Sequence, residues 1–150
     1  DPALISTSTL EEMSLDDSFS VRSAAAVCYY QLAHASPGSV PLNVVARLAN
    51  INEDWYVYTP AMACLKRLAK FRPLALDIIF SYLASSDQNA RGCGAHAIED
   101  ISTVDPWVLE DRKDTIRRCL RDSNPNVVNS IKRILEKLKK PPRKHDYSAF

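Results

Sequence analysis

The residues most suggestive of chemistry lie together in Arg91-Gly92-Cys93-Gly94-Ala95-His96. Cys93 and His96 stand three apart, a spacing that puts a thiolate and an imidazole on one face of a helix, where both could hold a metal ion. Two ligands do not make a site, and no second Cys/His pair lies nearby, so no metal and no cofactor is expected. His96 also stands at helical distance from Glu99 and Asp100, the spacing of an acid–base pair. No Gly-x-Ser-x-Gly, His-Glu-x-x-His or phosphate-loop motif accompanies it, so the expectation is not an enzyme. A second cluster, Trp55, Tyr56 and Tyr58, offers aromatic contact. It reads first as a staple between neighbouring units and second as a surface that stacks on a partner.

The elements that must carry these residues repeat. Val21, Ala25, Cys28, Tyr29 and Leu32 fall at i, i+4, i+7, i+8 and i+11, the apolar stripe of an α-helix. The same spacing recurs in Val57, Ala61, Cys64, Leu65 and Leu68, in Ala90, Gly94, Ala97, Ile98 and Ile101, and in Val127, Ile131, Ile134, Leu135 and Leu138. The offsets between the sets are 36, 33 and 37 residues. Pro37, Pro73 and Pro106 follow the last anchor of each of the first three stripes by five residues. Proline suits a helix start and not its interior, so each unit is expected to be helix, turn, helix. The second helices carry Val44, Val45 and Leu48, then Leu76, Ile79, Phe80 and Leu83, then Leu109, Ile116 and Leu120. Asn52-Glu53-Asp54, Ser85-Ser86-Asp87 and Asp122-Ser123-Asn124-Pro125 supply capping groups for the next helix.

The stretches Ser20-Val21-Arg22-Ser23-Ala24-Ala25-Ala26 and Asn89-Ala90-Arg91-Gly92-Cys93-Gly94-Ala95 resemble the start of the first helix in HEAT repeats. Asp17, Asp54, Asp87 and Asp122 stand just before that helix, where the family often places Asp. The resemblance covers about residues 17–140, although Tyr58 and Val128 stand where the family often has Arg. It implies an all-α, right-handed α-α superhelix (an α-solenoid, armadillo-like) of about 3.5 HEAT-like helical hairpins. These are expected at about 17–49, 53–84, 87–120 and 123–140, after a partial repeat over 1–16. A basic, flexible tail is expected over 141–150. The resemblance also implies a concave face lined by second helices and a role like that of adaptors, transport receptors and assembly scaffolds. On that face the expected partner-binding residues are Asn43, Arg47, Ser81, Tyr82, Arg118 and Arg121.

Charge is uneven although the net is only +1. Residues 1–20 hold five acids and no Lys or Arg, whereas residues 110–145 hold twelve Lys or Arg against five acids. Another protein is the expected partner, with nucleic acid as the alternative through the basic C-terminal third. A HEAT-like DNA glycosylase and a helper of chromophore attachment are the rival functions. No apolar run approaches the ~18 residues of a membrane span, so no membrane partner is expected. Cys28, Cys64, Cys93 and Cys119, widely spaced, are expected as free buried thiols in a cytoplasmic or nuclear setting.

Overall fold

The computed structural model describes residues 5–139. Among them every regular element is helical. The α-helices are α1 Thr7–Met13, α2 Phe19–Ala35, α3 Leu42–Leu48, α4 Trp55–Leu68, α5 Pro73–Leu83, α6 Gln88–Val104, α7 Lys113–Arg118 and α8 Pro125–Leu138. None of them is long and apolar enough to cross a membrane.

Local chemistry sets the boundaries. The Asp54 carboxylate accepts from the Tyr56 N–H at 2.9 Å, Asp87 from Asn89 at 2.7 Å, and the Asn124 carbonyl from Asn126 at 3.0 Å. These are the caps of α4, α6 and α8. The cap of α2 is Ser18 rather than Asp17, and its side chain makes no capping bond. Pro73 opens α5, while Pro37 and Pro106 open short 3₁₀ segments, Pro37–Ser39 and Pro106–Arg112. Pro60 sits inside α4, where its missing N–H leaves the Tyr56 carbonyl without its intrahelical donor. The Ser23 hydroxyl of α2 donates to that carbonyl at 2.8 Å, so the defect becomes a link between helices.

The longer helices α2, α4, α6 and α8 lie side by side, and each intervening element packs into the seam between two of them. Thus α3 touches α2 and α4, α5 touches α4 and α6, and the Pro106–Arg121 segment touches α6 and α8. Helix α1 packs on α2. The second and third apolar stripes are buried throughout. In the first stripe only Ala25 and Tyr29 are buried; Val21, Cys28 and Leu32 are half-covered, because Ala26 and Ala33 turn the buried face of α2 aside. Leu135 is likewise half-covered.

The third closing stripe departs from expectation. Its segment is broken into the 3₁₀ run Pro106–Arg112, the short α7 and a 3₁₀ turn Cys119–Arg121. A 3₁₀ turn holds three residues rather than 3.6, so side-chain directions drift away from the helical stripe. Leu109 and Ile116 still reach the core, but Leu120 is left 38% exposed.

Polar contacts between elements obey one rule. Every side-chain hydrogen bond or ion pair joining distant parts of the described chain links residues 31 to 36 apart. These contacts therefore reach about as far along the chain as one apolar stripe lies from the next, and no farther.

Candidate functional site

Two arginines build matching clamps. The Arg22 guanidinium donates to the Asp16 and Asp17 carbonyls, both at 2.8 Å, and grips the Glu53 carboxylate at 2.6 and 3.0 Å. Arg91 donates to the Ser85 and Ser86 carbonyls at 3.1 Å and grips Asp122 at 2.7 and 3.3 Å. Each clamp ties the loop before its own helix to the loop before the next one. The Arg22 hydrogen bond holds the Glu53 carboxyl below the usual carboxylate range despite burial. Burial pushes Asp122 up, but the bonds from Arg91 and from the Asn124 N–H outweigh it and its net shift is also downward.

Helix α4 sends no such clamp forward. Tyr58 occupies the matching position, and its ring turns inward to 8% exposure. Burial first, and then a hydrogen bond with the Cys93 side chain, raise the Tyr58 phenol above its ordinary pKa. The expected aromatic cluster is therefore divided. Tyr58 belongs to the interior, while Trp55 (68%) and Tyr56 (69%) stand in the open. The Trp55 indole stacks on the Tyr58 ring, centroids 5.8 Å apart and planes inclined by 29°.

Where the clamp is missing, the row of long helices parts. Helix α2 lies along α4 and α6 along α8, but α4 and α6 meet only sparsely. The gap holds a cleft of ≈ 570 Å³ lined by Trp55, Tyr58, Thr59, Met62 and Lys66 of α4 and by Gln88, Asn89, Gly92, Cys93, His96, Ala97 and Asp100 of α6. Asn124, Asn126 and Ser130 close it on the α8 side. A second cleft of ≈ 430 Å³ continues toward the helix C-termini between Tyr30 and His34 of α2, Ala63, Lys66 and Arg67 of α4, and the Asp100–Asp105 end of α6. The two share Lys66 and Asp100, whose ion pair at 2.6 Å crosses the gap between them. Together they form one oblique groove, walled only by the long helices and their caps.

Gly92 is explained by this groove. A β-carbon built there meets nothing within 4 Å, so the glycine sits on open floor. Gly94 is the opposite case: a β-carbon there would lie 2.7 Å from the Tyr82 β-carbon and 3.1 Å from the Leu83 nitrogen, where α5 crosses α6. Gly94, which holds the second position of the third apolar stripe as Ala25 and Ala61 do in the first two, marks a close approach of two helices.

The groove brings Cys93, His96, Trp55 and Tyr58 onto one surface, although they lie in two separate stretches of sequence. The carboxylates beside His96 are already committed: Asp100 pairs with Lys66, and Glu99 accepts from Arg133 at 2.6 and 2.9 Å. No group of three His, Cys, Asp or Glu side chains among the described residues is placed to hold a metal ion. Of the thiols, which are all free, only Cys64 is fully buried, and burial pushes it up to about 12.

Of the six residues expected on the second-helix face, five are exposed and Tyr82 is half-buried. Asn43, Ser81, Arg118 and Arg121 are exposed. Arg47 is exposed too, but it donates to the buried Ser14 hydroxyl at 2.8 Å. Tyr82 is not outward: it is half-buried, and its hydroxyl donates to the Ala49 carbonyl at the end of α3. Burial, with Cys93 adding, pushes the Tyr82 phenol up to about 12. The expected tail, 141–150, lies outside the described residues.

Known proteins bear on the fold alone. No family model matches the chain, and no curated protein matches it. Among solved structures it is similar to the crystal structure of an engineered protein from a structural genomics consortium, with a TM-score of 0.53 and 16% sequence identity over 89% of this chain. The chain spans 62% of the length of that structure. At such identity the likeness speaks to helical architecture only.

Proposed function

We propose that this protein is a protein-binding scaffold, not an enzyme, and that its working surface is the groove between α4 and α6. The chain is read as a short right-handed α-solenoid of HEAT-like repeats. The polar contacts that span 31 to 36 residues support this reading, as does the recurrence of one arginine clamp at Arg22 and Arg91. In such arrays each unit buries its second apolar face only against a neighbour, and the stacked surface serves recognition.

The observation that carries the binding role is the parting of α4 from α6. It exposes an aromatic wall, an apolar floor at Met62, Gly92 and Ala97, and the carboxamides of Gln88, Asn89, Asn124 and Asn126. A mostly apolar concavity with a few placed polar groups is the usual form of a binding site. Carboxamides both donate and accept, which suits the peptide groups of a protein segment.

The test is affinity capture from nuclease-treated and untreated extracts with three forms of the protein. These are the wild type, Gly92→Leu, which fills the groove floor, and Arg118→Glu/Arg121→Glu. Circular dichroism would confirm equal helicity. The expected result is a protein partner that survives nuclease, is lost with Gly92→Leu and is kept by the double variant. Loss only in the double variant would move the function to the second-helix face. Capture abolished by nuclease would assign nucleic acid to the basic end and end the scaffold reading.

A further inference from the structure

The second cleft carries an imbalance that the first lacks. Two carboxylates face it, Asp100 and Asp105, and both are taken: Asp100 by Lys66 at 2.6 Å and Asp105 by Lys70 at 3.3 Å. Arg67 lines the same cleft and makes no ion pair among the described residues, and its Nε is buried with no hydrogen-bond partner. That Nε is closed to solvent, so a ligand in the cleft meets the guanidinium at its Nη end, which makes no hydrogen bond among the described residues. The guanidinium is also held in place, its carbon 5.2 Å from the centre of the Phe71 ring. A guanidinium with a fixed plane and a free N–H edge suits a carboxylate, which takes two parallel hydrogen bonds from it.

We infer that the groove takes an extended acidic peptide, with one carboxylate side chain on Arg67 and an aromatic side chain against Trp55. This inference rests on the protein-binding reading of the groove. The spacing follows from helix geometry. Trp55 and Arg67 stand on the same helix, about 18 Å apart along its axis at 1.5 Å per residue, and an extended strand covers that distance in about five to six residues. Side chains on one face of a strand recur every second residue, so the recognised segment has its aromatic and its acid six positions apart, with five residues between. The Lys66–Asp100 ion pair lies between the two anchor points, beneath the peptide backbone.

The test uses intrinsic fluorescence. Trp107→Phe leaves Trp55 as the sole tryptophan, since the chain has two. Blocked heptapeptides Phe-Ala-Ala-Ala-Ala-Ala-Glu and its reverse are titrated against this protein, each beside its Gln counterpart. One orientation is expected to shift the indole emission saturably. Replacing Glu by Gln in the peptide, or Arg67→Gln in the protein, should weaken it at least about tenfold, the scale of losing one partner of a desolvated charge pair. Arg67→Lys, which keeps charge but not the fork, should fall between. Glu and Gln peptides binding equally would overturn the carboxylate inference and leave the groove as a peptide site. No shift with any of the four peptides would overturn both. Should Arg67→Gln lose helicity, the Glu/Gln comparison on unchanged Arg67 still decides.

Discussion

At the residue scale the two glycines of α6 make opposite predictions from nearly the same sequence context. Gly92→Ala adds a methyl to open space and removes the entropy cost of glycine in a helix, so stability should rise by about 0.5–1 kcal/mol. Gly94→Ala drives a methyl to 2.7 Å from the Tyr82 β-carbon and should cost about 1–3 kcal/mol as overpacking does. Thermal melts of the two variants check both signs. Tyr29 offers a third case: it is fully buried and its hydroxyl has no partner among the described residues. Tyr29→Phe should therefore melt at or above the parent temperature, because removing an unsatisfied polar atom spares its desolvation. Gly94 was legible in sequence as a buried-face position, being a member of the third apolar stripe. Gly92 was not, since periodicity tells which face a residue is on but not whether anything covers that face.

At the element scale the arginine clamps explain why an arginine follows the first stripe residue in both α2 and α6, at Val21-Arg22 and Ala90-Arg91. Sequence showed the recurrence at Arg22 and Arg91 and its absence at Tyr58. It did not show that a groove stands where the clamp is absent, because the clamp partners Glu53 and Asp122 lie 31 residues away in another loop. The broken Pro106–Arg121 segment was equally hidden: Leu109, Ile116 and Leu120 fit a helical stripe, and only the 3₁₀ geometry moves Leu120 out. The clamps also set a pH dependence. Glu53 and Asp122 have folded pKa values below their unfolded ones, so their contribution is present above the unfolded carboxylate range, about 4, and is lost as pH falls through the folded values. Arg91→Met should lower the melting temperature at pH 7 and leave a gap from wild type that narrows steadily toward pH 3. A gap independent of pH would mean that Arg91 acts by packing alone.

At the scale of the whole molecule, contacts run from neighbour to neighbour, and α2 has no extensive contact with α8. Damage should stay local. Ile134→Ala, at a fully buried site in α8, should cost about 2–5 kcal/mol and speed amide exchange in α6–α8 far more than in α2 and α3. Uniform acceleration along the chain would refute that picture.

The missing clamp has a mechanical consequence as well. On one side of the middle joint α5 and α6 are pressed together at Gly94 and Tyr82; on the other, the Lys66–Asp100 pair bridges α4 and α6, and Lys70–Asp105 joins the segments just past their C-termini. That is a hinge facing a mouth. Each flanking pair of long helices is clamped and packed, so bending is expected to concentrate at this seam. On the proposed reading, a segment lodged in the mouth would splint that seam and stiffen the joint between the two halves.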